Sequence, residues 1–167
     1  MTVAELIKKM VVYSEGNLHD IAHFLKVYAY AKTIGECEHL DKDTQLVLEI
    51  AAVLHDIACP LCREKYGSTD GKYQEREGAV LAADFLEGTG FSEALVRRVS
   101  YLVGHHHTLT QIEGMDYQIL IEADYLVNVD ESHYDKDNIR NMYEKVFRTG
   151  TGKELLQNIY LCNPSLI

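Results

Sequence analysis

The chain has 167 residues, enough for one domain with a full core and too few to expect two. It is 47% apolar and 25% charged, as a globular protein is, and its formal net charge of −10 repels phosphate polymers and anionic membranes at long range. A DNA, RNA or membrane partner is thereby disfavoured, whereas a small anion fits a pocket where a metal or a few cations reverse the local field.

The opening "MTVAELIKKMVVYSEG" carries Lys8 and Lys9 in its middle and reads as an amphipathic helix, not a signal peptide. The longest apolar runs fall short of the roughly 20 residues that span a bilayer. Four cysteines in an acidic chain of this size point to a reducing cytoplasm over a disulfide scaffold. The expected location is cytoplasmic.

Only Pro60 and Pro164 interrupt helix formation, so nearly the whole chain is free to be helical. Thr2 and Glu5 have capping-box spacing and open a first helix that ends near Gly16. A second runs from about Leu18 through Ile34. Asp41 or Asp43 caps a third, in which Leu46, Ile50, Val53, Leu54 and Ile57 make a broad buried stripe. From Ala58 to about Lys72 the reading is a polar loop of unusual length, with Pro60 in a tight turn. A fourth helix follows from about Tyr73 to Leu86. Ser92 caps a fifth that ends in "GHHH", Gly104 to His107. Asp116 opens a sixth, "DYQILIEADYLVNVDE". Asp135 opens another, and Thr151 with Glu154 has capping-box spacing for the last, placing the C-terminal helices at about 135–161. The expectation is an all-α fold of about seven helices, one domain over residues 1–167.

The dipeptide His55-Asp56 sits at the end of an apolar run. Neighbours on a helix project about 100° apart, so they address one point only at a helix end. Imidazole and carboxylate together suit first-row divalent metals. Alternatively, His55 is a hydrogen-bonded core residue and Asp56 a helix-end residue. Partners lie on other helices: His19 and His23 at i, i+4, and Asp124 inside "ILIEADYLV", where a lone carboxylate is costly to bury unless paired or bound to a cation.

"HFLKV" at His23–Val27, "AAVLHDIA" at Ala51–Ala58 and "EADYLV" at Glu122–Val127 stand in an order and spacing that resembles the HD-domain superfamily of helical, metal-dependent phosphohydrolases. The resemblance covers about Leu18 to Val129. It implies a single HD-type helical domain and one divalent ion (Mn, Fe, Ni, Co, Mg or Zn) held by His23, His55, Asp56 and Asp124. His19-Asp20 also spells HD, but His23 carries the aliphatic spacing of the family's first motif. By the same resemblance the ion activates water against phosphorus, with Asp56 or Asp124 accepting the proton. The substrate implied is a small phosphoester or nucleotide.

Many relatives have a glycine and a lysine soon after the HD pair, where this chain has Ala58-Cys59. A cation for the phosphate then has to come from elsewhere, with Lys26, Arg63, Lys65 and Lys72 as candidates. Of the three histidines, His105 and His106 are expected at the substrate, and His107 toward solvent. The fourth helix offers Glu75 and Glu77 but no histidine, which favours one metal or a weak second site. Two rivals stand beside this reading: an HD-type di-iron oxygenase and a catalytically silent ligand-binding module. Cys59-x-x-Cys62 lacks a second ligand pair and is expected to bind no zinc.

Overall fold

A computed structural model describes residues 1–162; Pro164 lies outside them. The described residues hold nine α-helices and no strand: α1 (Val3–Tyr13), α2 (Leu18–Cys37), α3 (Lys42–Leu54), α4 (Cys59–Tyr66), α5 (Gly71–Leu86), α6 (Glu93–Val103), α7 (Met115–Glu131), α8 (Lys136–Lys145) and α9 (Gly150–Leu156). A π-helical turn, Gln157–Leu161, continues α9.

Side-chain caps set most helix starts, as the sequence pattern implies. Thr2 and Glu5 close a reciprocal capping box. Asp41, not Asp43, caps α3 by accepting from the Asp43 and Thr44 amides, both at 3.0 Å. Ser92 and Asp135 accept from Leu95 and Asn138 amides in the same way. Two expected starts are corrected. Thr149, not Thr151, caps α9, its hydroxyl accepting from the Gly152 amide at 2.9 Å. Asp116 does not cap α7, which starts after Gly114; its carboxylate instead receives a bidentate pair from Arg98 at 2.7 and 2.8 Å.

The largest departure is α4, which occupies the segment expected to be a loop. Pro60 lies in its first turn, where a missing N–H costs nothing and a fixed φ favours the helix. The Cys62 amide donates to Ala58 at 2.8 Å, and Gly67, at φ +63°, ends the helix in the left-handed region. Cys59 and Cys62 face inward and are both buried.

The core forms around α7, whose residues from Asp116 to Val127 are all buried. Helices α2 and α3 pack on α7 and on each other, and α5 pairs with α6. Lys42–Tyr66, counted across α3, the turn and α4, is long and apolar enough to cross a membrane, contrary to the expectation of short runs; most of it is buried inside the protein. One carboxylate lies deep in this core on neutral partners. Glu122 accepts from Gln118 Nε2 at 2.7 Å and from the Arg148 and Thr149 amides at 2.6 and 3.1 Å, with the Thr149 hydroxyl alongside.

Candidate metal centre

Helix α3 stops at Leu54, and His55 is its C-cap. The chain then turns, with the Ile57 amide bonded to Leu54 and the Cys59 amide to Asp56. His55 and Asp56 thus leave the helical repeat at the point where their side chains can share one target.

Across that turn stand α2 and α7. His23 Nε2 lies 3.1 Å from His55 Nε2, 3.5 Å from Asp56 Oδ2 and 3.2 Å from Asp124 Oδ1. His55 Nε2 is in turn 3.7 Å from Asp56 Oδ1 and 3.5 Å from Asp124 Oδ1. His55 is fully buried, His23 and Asp124 nearly so. The four side chains expected from the sequence therefore converge. His19 does not join them: its side chain is 72% exposed, and its nearest carboxylates are those of Asp20 and Glu131.

Backbone and carboxylate partners orient the rings. His55 Nδ1 donates to the Ala52 carbonyl at 2.9 Å, and His23 Nδ1 to Glu131 Oε2 at 2.8 Å. Each Nε2 is left with its lone pair toward the cluster, the tautomer a metal ligand needs. Asn128 Nδ2 donates to Asp124 Oδ1 at 2.8 Å. Burial opposes ionisation of Asp56 and Asp124. The neighbouring imidazoles (His55, His106 and His23 at Asp56; His23 and His55 at Asp124) outweigh it and hold both carboxyls well below the usual range. Burial also pushes His23 down, but Asp124, Asp56 and Glu131 lift it to about 9. Without a cation the carboxylates draw protons onto His23 and His106.

The expected substrate residues divide. His106 is buried, its Nδ1 donating to Val103 at 2.8 Å, and its Nε2 points at Asp56 Oδ1 from 3.4 Å without making a hydrogen bond. His105 is not at the site. Its Nδ1 donates to the Tyr101 carbonyl and its ring stacks on Tyr101 at 4.2 Å, because the chain past α6 turns it outward. His107 is exposed, as expected, yet its ring reaches the site from the solvent side, so that Asp56, His106 and His107 form a second trio beside the first, His23, His55 and Asp56.

Lys26 is tied to Glu131 Oε1 at 2.8 Å, Lys65 to Glu77 at 3.0 Å, and Lys72 stays exposed near Asp70. Arg63 lines the cavity over the cluster but is paired with both oxygens of Asp20. Glu75 and Glu77 do not reach the cluster. Glu75 accepts from the His107 amide and the Thr108 hydroxyl, while Glu77 serves Lys65, Tyr66 and Arg76.

Three residues that the sequence reading passed over belong to the site. Asn128 and Glu131 lie four and seven residues after Asp124, one face of α7, and that spacing was a usable signal. Gln74, buried on α5, also lines the cavity, with its Oε1 unpartnered. Cys59 lines it too, but burial and then Asp56 push its thiol up, away from the thiolate a zinc needs.

The residues fit a divalent ion. The donors are mixed imidazole and carboxylate: ligand atoms of His23, His55 and Asp56 lie within 4.8 Å of one another, Asp124 Oδ1 is 3.2 Å from His23 Nε2 and 3.5 Å from His55 Nε2, and His106 Nε2 is buried with no hydrogen-bond partner among the described residues.

This geometry agrees with what the chain resembles. The family model for the HD domain matches residues 18–145, and the chain belongs to that family. Among solved structures, it is similar to a predicted HD superfamily hydrolase from an uncultured Thermotogales bacterium. The two share 25% identity over 95% of this chain and 83% of the other, with a TM-score of 0.68. No curated protein matches the chain.

Proposed function

We propose that this protein is a metal-dependent phosphohydrolase acting on a small phosphoester or nucleotide. One observation carries the reading: His23, His55, Asp56 and Asp124 converge from α2, the α3 turn and α7, with one buried and one partly buried carboxylate that no lysine or arginine among the described residues neutralises. The family match and the similarity to a predicted hydrolase support it.

These four residues would hold the ion. When bound, it supplies Lewis acidity: a lowered pKa for water and a polarised phosphoryl oxygen. The remaining work belongs to side chains. Asp56 faces His106 Nε2, so a proton leaving the attacking water is taken at Asp56 or at that nitrogen. Protonated His106 then donates to a phosphate oxygen. Arg63 offers its guanidinium to the phosphate in exchange for Asp20. The water oxygen bonds to phosphorus, the bond to the organic oxygen breaks, and the proton taken from the water passes from protonated His106 to that oxygen, so that the alcohol departs neutral. Asn128 and Glu131 keep Asp124 and His23 in register throughout.

A second reading draws on the second trio. Two groups of donors sharing Asp56 resemble a two-ion centre, as an oxygen-activating di-iron enzyme would need. One experiment separates the two. Metal-stripped protein is reloaded with Mn²⁺, Fe²⁺, Ni²⁺, Co²⁺, Mg²⁺ or Zn²⁺ and assayed for phosphate release from a phosphoester and nucleotide panel under anaerobic conditions. Hydrolysis without oxygen, lost by orders of magnitude in Asp56→Ala, supports the phosphohydrolase. Turnover that needs both iron and oxygen supports the second reading, and no turnover with any ion leaves a ligand-binding module.

A further inference from the structure

A second cavity of about 350 Å³ opens from the metal centre between α7 and α8. It shares His107, Asp124 and Asn128 with the cavity that Arg63 lines, so the two are lobes meeting at the cluster. Their chemistry differs. The first lobe carries His19, Asp20, Arg63 and Glu131. The second has no lysine or arginine, and its one carboxylate, Asp124, is turned to His23, His55 and Asn128. A charged phosphate belongs in the first lobe, and an uncharged group in the second.

The walls of the second lobe narrow that group further. Ile121 and Met142 are buried and apolar, while Leu109 and Tyr134 are large apolar side chains left 45% and 38% exposed. Tyr134 lies against Tyr125 with the ring planes 28° apart and centroids 5.6 Å apart. The Tyr125 hydroxyl donates to Asn138 Oδ1 at 2.5 Å. In this arrangement no acceptor among the described residues takes the Asn138 Nδ2 hydrogens. An exposed aromatic face next to an oriented amide donor matches a flat ring that carries its own acceptors.

We propose that the cavity between α7 and α8 binds the nucleoside part of the substrate, with Tyr134 stacking on the base and Asn138 Nδ2 donating to a ring nitrogen or carbonyl. The assignment deepens the phosphohydrolase reading and rests on it for its kinetic consequence only. The scissile bond then lies where the lobes join, at His107, Asp124 and Asn128. Tyr134 and Asn138 select substrate and take no part in the chemistry.

The primary test needs neither metal nor turnover. Adenosine, guanosine, cytidine and uridine are titrated into metal-free protein and followed by amide and side-chain NMR shifts. At least one should bind saturably, moving the signals of Tyr134, Asn138 and Leu109. Tyr134→Ala should weaken that binding about tenfold, the low end of what a base–aromatic stack contributes. Asn138→Ala should weaken it and alter the preference among bases. Both side chains are exposed, and far-UV circular dichroism verifies each fold. The kinetic arm compares kcat/KM for a nucleoside monophosphate with that for glycerol phosphate; Tyr134→Ala should lower this ratio about tenfold. Saturable binding without hydrolysis of any ester keeps the nucleoside assignment and removes the phosphohydrolase. Hydrolysis with no nucleoside binding, or binding that both variants leave intact, overturns the assignment and keeps the phosphohydrolase.

Discussion

Glu131 holds His23 by its Nδ1 at 2.8 Å and is itself held by Lys26 at 2.8 Å, so a lysine at the surface orients a buried imidazole through one carboxylate. Carboxylates in this place raise ligand basicity and fix the tautomer. Glu131→Gln can still accept at His23 but without the charge, and should weaken binding of a divalent ion about 10- to 100-fold. Calorimetric titration of metal-free protein measures it; an unchanged affinity would remove Glu131 from the site. Lys26→Met should produce a smaller effect in the same direction, since the ion pair is half exposed.

The four cysteines should separate by reactivity. Cys37 and Cys162 are exposed, while Cys59 and Cys62 are buried and burial pushes both of their thiols up. A thiol reagent should label two positions quickly in the native protein and the other two only on unfolding. Peptide mapping identifies them. Rapid labelling of Cys59, or a Cys59–Cys62 disulfide in freshly purified protein, would contradict the structure.

Glu77 should titrate far below an ordinary glutamate. Tyr66 donates to it at 2.5 Å, with Lys65 at 3.0 Å and Arg76 at 3.3 Å, and these contacts lower its pKa from 4.5 to about 2. A depressed folded-state value stabilises the protein fully above the unfolded pKa, and this is lost as pH falls through about 2. The α4–α5 contact is therefore complete above about pH 4.5 and weakens below it. NMR titration of the Glu77 carboxyl should give a midpoint near 2, moving upward in Tyr66→Phe. A midpoint near 4.5 in the parent would show that the cluster does not form in solution.

Gly152 leaves room for the buried Glu122 network. A Cβ there would lie 2.0 Å from Glu122 Oε2 and 2.6 Å from Thr149 Oγ1. Gly152→Ala should therefore displace a fully buried carboxylate from its donors and cost on the order of 2–4 kcal/mol. In a chain of this size that is roughly 5–15 °C in Tm. Thermal unfolding followed by circular dichroism reads it, and an unchanged Tm would show that the helix can shift to make room.

The chain's own order of residues determined the helical fold and four of the site residues. Capping at Thr2, Asp41, Ser92 and Asp135 and the apolar periodicity are contacts within a few residues, so they are written locally. His23, His55, Asp56 and Asp124 were legible because each interrupts an apolar helical run in the order that resembles the HD family. The helix in place of the expected loop was also encoded locally, but Pro60 reads equally as a turn residue or as a first-turn residue. Burial of Cys59 and Cys62 against the core decides between them. Tertiary structure alone decided the rest. Beyond Gly104, where α6 ends, the repeat no longer sets direction, so only packing turns His105 onto Tyr101 and His107 toward Asp56. Nothing near Lys26 in the sequence marks it as paired, yet Glu131, 105 residues away, takes its ammonium. Such pairings, and the lobe between α7 and α8, depend on which distant surfaces meet, and local pattern carries no record of that.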